Sequence, residues 1–272
     1  MLVGNFFVES STALGKKAML KRRETIYGYA FLNVFWVTIF LMIFVAFGAS
    51  FHFSKASLPY FIPRAMLEIA TAQIGALAIR TADLSTFSFL RLITIPILLV
   101  IDLVIGYKVT PIQMLGVLII FGTLFMLLAK NQLRRRGQKL ILALGLLAPI
   151  NLSLFKYDIT HYNSVAAEQI IIYLCILSYF TVVAWFHTRE KTWAYLYKSR
   201  TELQSMSNGL GSSIGVFAYT MVPASVATTF SRGTELLLAI LFGNVAFHER
   251  KFGHKIAGFA IVITALILVA IN

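Results

Sequence analysis

The chain has 272 residues, 58% of them hydrophobic, with a mean hydropathy of +0.80 and a formal net charge of +13. Soluble domains sit near ~45–50% apolar, so this composition excludes an ordinary soluble domain. The apolar runs are continuous rather than alternating, which excludes a β-barrel. The positive charge reads as the Lys/Arg excess of cytoplasmic loops rather than a nucleic-acid surface. The single cysteine, Cys175, excludes an intrachain disulfide and a cysteine metal cluster.

Apolar runs of about 20 residues suffice to cross the hydrocarbon core. The first, about 1–15, is short and carries Glu9 beside Ser10 and Ser11. No basic region precedes it, so a cleavable signal peptide is not expected. It reads as a real but short span, clipped at its start. The second segment covers about 26–49. The third, about 60–79, holds Glu68, which the i−4 spacing pairs with Arg64. The fourth, about 86–106, places Arg91 between one and two turns in, with Pro96 as a kink nearby and Asp102 near its outer end. The fifth covers about 111–129. An ionisable group at bilayer depth costs about 2.5–3.5 kcal/mol on insertion scales and marks a functional site by default. Glu9, Glu68 and Arg91 are therefore candidates for binding or coupling.

The second half repeats this rhythm. Its segments fall at about 139–155, 167–187, 209–228, 229–247 and 254–271. Asn151, two residues after Pro149, and Tyr219, shortly before Pro223, are candidate substrate contacts, because a proline in a span frees backbone carbonyls that line a cavity or find new partners. Gly211 and Gly215 form a small-xxx-small pattern that favours close packing within the chain over homodimerisation. Arg232 opens the ninth segment, with Glu235 at i+3 on the same face as a partner or a carrier of a coupling proton. The stretch 187–204 mixes Trp193, Tyr195 and Tyr197 with basic residues and reads as an interfacial loop.

Residues 102–131 align with 244–272 at a shift of about 142, placing Gly116 on Gly258 and Lys108 on Arg250. A similar shift places Arg91 on Arg232. The expected architecture is all-α, ten transmembrane helices in two five-helix repeats: 1–131 and 139–272, joined by a basic linker, 132–138. Most of the 24 Lys and Arg fall in alternate loops, which the positive-inside rule puts in the cytoplasm with both termini outside. An odd number of helices per repeat inverts the halves, a recurrent build of secondary transporters. Inversion places Arg91 nearer the cytoplasm and Arg232 nearer the outside. The turn His248–Lys255 then sits between the last two helices, its charges setting topology.

That turn also carries a resemblance. The run from Gly233 to Asn272 resembles the end of an EamA-type repeat of the drug/metabolite transporter superfamily, in which an apolar helix ends in a Gly-Glu-Arg-like turn before a Gly-containing helix. Here His248-Glu249-Arg250 and Gly258 match. In the first copy Tyr107-Lys108 replaces Glu-Arg, while Pro111 and Gly116 fit. The resemblance implies ten helices around a central cavity, alternating access and a small-molecule substrate, amino-acid-like or another organic solute, with export as the family habit. The outside termini depart from the arrangement usual among ten-helix members. Glu9 is similar to the first-helix carboxylate of the small multidrug-resistance relatives, which binds a proton and a cationic drug in turn. The alternative is a flippase for a lipid-linked intermediate. The chain contains no GxxxxGK[ST], HExxH or GxSxG motif, and its five histidines (His52, His161, His187, His248 and His254) are scattered over different loops. Neither an ATPase nor a membrane enzyme is expected, and no cofactor or metal. The expected setting is the plasma membrane, as a monomer or homodimer.

Overall fold

Prolines and small residues decide where the helices break and where they touch. A computed structural model describes residues 2–21, 24–105, 110–130, 132–133, 135–197, 199–221 and 224–270, without the side chains of 102, 105, 199, 200, 224–226 and 270. Among these residues it is all helical: α1 (Leu2–Leu20), α2 (Ile26–Ala46), α3 (Leu58–Thr81), α4 (Leu84–Arg91), α5 (Thr94–Ile105), α6 (Pro111–Ala129), α7 (Gln138–His161), α8 (Val165–Thr188), α9 (Ser199–Met221), α10 (Ala224–Phe247) and α11 (Phe252–Ala270). Lys108 and Pro223 lie outside the described residues, as does the Asp102 side chain.

Eight stretches are long and apolar enough to cross a membrane, with α4 and most of α5 counted as one, 84–101. This is an all-α, multi-pass membrane protein. On α6, Met114, Leu118, Phe121 and Phe125 are exposed at near-helical spacing, an apolar stripe of the kind that meets lipid. The helices outside that set are α1 and α9, and they pack along each other.

Polar pairing explains why α9 tolerates so little hydrophobicity. Gln204 Nε2 donates to Ser11 Oγ of α1 at 3.0 Å. Ser207 Oγ donates to the Phe7 carbonyl of α1 at 3.2 Å, and Ser213 Oγ to the Val37 carbonyl of α2 at 3.2 Å. Buried hydroxyls with such partners carry little desolvation cost. The expected interfacial loop therefore gives way to a 3₁₀ turn, Thr192–Tyr197, and a helix that starts at Ser199. A Cβ on Gly4 would lie 2.8 Å from the Gly211 carbonyl oxygen, so α1 and α9 touch backbone to backbone. Gly211 thus serves packing within the chain, while Gly215 has open space around it.

The expected fourth segment is two helices. Pro96 has no N–H to give the Leu92 carbonyl, and its ring crowds that oxygen. The Ile95 N–H bonds to Leu92 instead at 3.0 Å, and Thr94 Oγ1 donates to the Arg91 carbonyl at 2.7 Å. Arg91 is left at the last turn of α4, on a break rather than inside a helix.

Beyond α1·α9, the extensive contacts are α3 with α7, α2 with α8 and with α9, and α6 with α11. In the last pair, a Cβ on Gly116 would lie 2.7 Å from the Ala265 carbonyl oxygen, and one on Gly258 would lie 3.2 Å from Leu127. Each glycine, near the start of its helix, faces the far half of the other, so the pair is antiparallel and each glycine plays the same part.

Candidate functional site

Three helices converge on one carboxylate. Glu235, in the middle of α10, accepts from Arg232 Nη1 at 2.5 Å and has Arg91 Nη1 at 3.5 Å. The first contact is the i,i+3 pair expected from spacing. The second brings a residue from 144 positions earlier to the same oxygen, Oε2. The two arginines are therefore at one depth, not on opposite sides. The difference arises because α10 begins at 224 rather than 229, which puts Arg232 more than two turns into its helix. Glu9 of α1 is buried and interacts electrostatically with Glu235, Arg91 and Arg232. Two arginines thus stand against two glutamates.

Asn5 ties α1 to α10 beside them. Its Nδ2 donates to Thr234 Oγ1 and to the Ser231 carbonyl at 3.3 Å. The Ser231 hydroxyl has Glu235 Oε1 at 2.8 Å and Asn5 Oδ1 at 3.2 Å as acceptors. Tyr219, near the end of α9, interacts with Arg232, Glu235 and Arg91. Five of the seven candidates, Glu9, Arg91, Tyr219, Arg232 and Glu235, therefore form one constellation. Sequence reasoning missed Asn5, whose only signal is an amide near the start of an apolar helix. Arg91 stays 26% exposed and lies 4.9 Å over the Phe87 ring, while Arg232 and Glu235 are 11% and 12% exposed. Arg91 is thus the loosely held and reachable cation.

The other two candidates meet elsewhere. Asn151 Nδ2 donates to Glu68 Oε2, joining α7 to α3. The expected Arg64–Glu68 pair does not form. Arg64 Nη1 instead bonds Glu168 Oε1 of α8 at 2.7 Å, and its guanidinium sits 4.6 Å over the Phe155 ring. Spacing along one helix offered Glu68 as a neighbour, but the buried guanidinium reaches a carboxylate on a facing helix through Nη1, with its Nε left without an acceptor. The Phe155 ring lies 6.1 Å from that of Tyr219, linking this cluster to the first.

At one end of the bundle, four of the basic loops surround a cavity of about 960 Å³. Its wall includes Lys16, Arg80, Arg136, Arg250, Lys251 and Lys255 against Asp83 and Glu249. Glu249 has a defined task there. It accepts from the Leu84 N–H at 2.7 Å and from the Ser85 hydroxyl, capping α4 from another loop, while Lys255 Nζ holds it at 3.0 Å. Asp83, at the N-cap, makes no side-chain cap bond itself. His248 and Lys251 take left-handed backbone angles (φ 50° and 65°) to bring Glu249 inward. The His248–Lys255 turn therefore fixes the start of the helix that ends in Arg91. No family model and no curated protein matches the chain.

Proposed function

We propose that the chain is a secondary transporter of the EamA type that moves a small organic solute, amino-acid-like or otherwise anionic at one end, by alternating access, with export as the favoured direction. The observation that carries this reading is the Glu9/Arg91/Arg232/Glu235 constellation on three helices in an apolar bundle, with Arg91 partly exposed and at 3.5 Å from its partner. A bound carboxylate or phosphate competes with Glu235 for Arg91, whose planar fork suits such groups. Arg232 keeps Glu235 in place meanwhile. Glu9 meets the cationic end of a zwitterion or carries a coupling proton, and Tyr219 closes the site from α9. Glu68 and Asn151 support the far wall. The reading takes α1 and α9 as spans, making ten, because their polar side chains find partners on each other and on α2 and α10. The antiparallel packing of α6 on α11 through Gly116 and Gly258, and the pairing of α1 with α9 as α3 with α7, support two inverted repeats. It places the basic cavity at the cytoplasmic face of the plasma membrane, where an anion is drawn in electrostatically.

The test compares metabolites in the medium of cells making the parent chain with those of cells making an Arg91→Ala/Arg232→Ala variant at matched membrane levels. An anionic or zwitterionic solute enriched by the parent alone is the expected result. An unchanged medium together with altered lipid-linked intermediates would move the assignment to a flippase.

A further inference from the structure

Away from the basic cavity, the last turn of α7 and the first of α8 bury two carboxyl groups, Asp158 and Glu168, that transport by the central site does not use. Asp158 is fully buried, and neither of its side-chain oxygens has a hydrogen-bond donor. Its side chain meets that of Glu168. Both oxygens of Glu168 are already taken, Oε1 by Arg64 at 2.7 Å and Oε2 by Asn163 Nδ2 at 2.5 Å. An acceptor therefore faces an acceptor in a sealed site.

The surrounding groups do not relieve this. From α3 come Arg64, bonded to Glu168 through Nη1 while its Nε reaches no acceptor, neither Asp158 oxygen included, and Glu68, a further carboxyl bonded to Asn151. Tyr60 of α3 also interacts with Asp158, but its ring packs 4.8 Å from that of Tyr157. On Asp158's own helix, Lys156 turns away to the Tyr219 carbonyl at 2.6 Å, and His161 faces the Tyr157 carbonyl at 2.9 Å. From the loop before α3, His52 meets Ser164 through its backbone at 2.9 Å. One guanidinium thus serves two buried carboxyls. Two such groups sharing a site cannot both ionise without leaving an uncompensated buried charge. A single proton turns one acceptor into a donor and resolves both faults.

We infer that Asp158 and Glu168 form a proton-binding site, with the proton on Asp158 donated to the Glu168 carboxylate that Arg64 anchors. A path runs from it toward the central constellation: Arg64 lies over Phe155, Phe155 packs against Tyr219, and Tyr219 is within electrostatic range of Arg91 and Arg232. That the proton drives transport rests on the function proposed above; its presence does not.

The experiment measures occupancy in the full chain with no solute present. Infrared difference spectra are taken between about pH 5 and about pH 9, where an ordinary aspartate, with a pKa of ~3.9, stays ionised. Aspartate is isotope-labelled; the chain contains only Asp83, Asp102 and Asp158. The expected result is a protonated-carboxyl band that moves with the label and is absent in Asp158→Asn. That variant preserves shape and supplies an N–H donor to Glu168. Thermal melts give a second reading. The parent holds a proton that its unfolded chain releases, so its melting temperature falls as pH rises, while that of Asp158→Asn stays flatter. A label-insensitive spectrum in the parent, which needs no variant to fold, overturns the proton site. A band present without transport leaves the site standing and removes the carrier reading alone.

Discussion

The central constellation and the Arg64 cluster use the same residue types to opposite ends. In the first, two arginines meet two glutamates, and Arg91 keeps a quarter of its surface open beside a helix break. In the second, one arginine, 1% exposed, holds one glutamate while an aspartate waits without a donor. Balance with access suits a site that exchanges partners. Imbalance without access suits a site that holds something as small as a proton. Ion pairing alone separates nothing here; what separates the clusters is the charge left over and the room around it.

The sharpest way to break this contrast is to remove one arginine from each. Arg64→Gln strands Glu168 in a sealed site and loses the contact with Phe155. Breaking a buried pair from one side costs about 3–5 kcal/mol. The purified variant should melt far below the parent or fail to accumulate, and an unchanged melting temperature would show that Arg64 is not enclosed. Arg91→Gln leaves Glu235 its closer partner, Arg232, at 2.5 Å. With Arg91 the more distant and more exposed partner, the loss should be about 1 kcal/mol or less, whereas solute movement should disappear. A variant that melts early yet still transports would reverse the two assignments.

Glu249→Gln lies between these. It keeps the shape but takes the charge from the contact with Lys255 and weakens the cap on α4. Loss of a charged cap costs about 0.5–2 kcal/mol, and this should show as a modest fall in melting temperature. Because α4 carries Arg91 at its other end, transport should fall further than stability does. Equal falls would make the turn merely structural.

The constellation was legible in the sequence for a simple reason. Ionisable groups are so rare in these apolar runs that Glu9, Arg91, Arg232 and Glu235 each stand out. What the sequence hid was company and depth. Arg64 has a carboxylate at i+4, so helix spacing names Glu68, yet the true partner, Glu168, is 104 positions away. Asp158 was invisible because hydropathy ends the segment near 155, while the helix runs on to His161. The start of α9 was hidden in the same way, since Gln204 and Ser207 look like loop until their partners on α1 are known. Composition reports cost, and only packing reports what offsets it.

The smallest expected change in stability tests whether access matters as much as charge. Pro96→Ala returns an N–H that can bond the Leu92 carbonyl and removes the ring that crowds it. The present local bonds, Ile95 to Leu92 and Thr94 to Arg91, compensate for much of the break, so mending it should alter stability by about 1 kcal/mol or less in either direction, well under the ~3 kcal/mol of a proline in an uncompensated helix interior. Arg232 and Glu235 hold each other within α10, and the substitution removes no charged group, so the net charge of the constellation is untouched. Only the aim of Arg91 changes, since a continuous helix turns its side chain about a different axis. If an open, loosely held Arg91 is what separates this site from the Arg64 cluster, transport should drop several-fold in a protein that melts like the parent. Full activity would mean that charge balance suffices and that the break serves the fold alone.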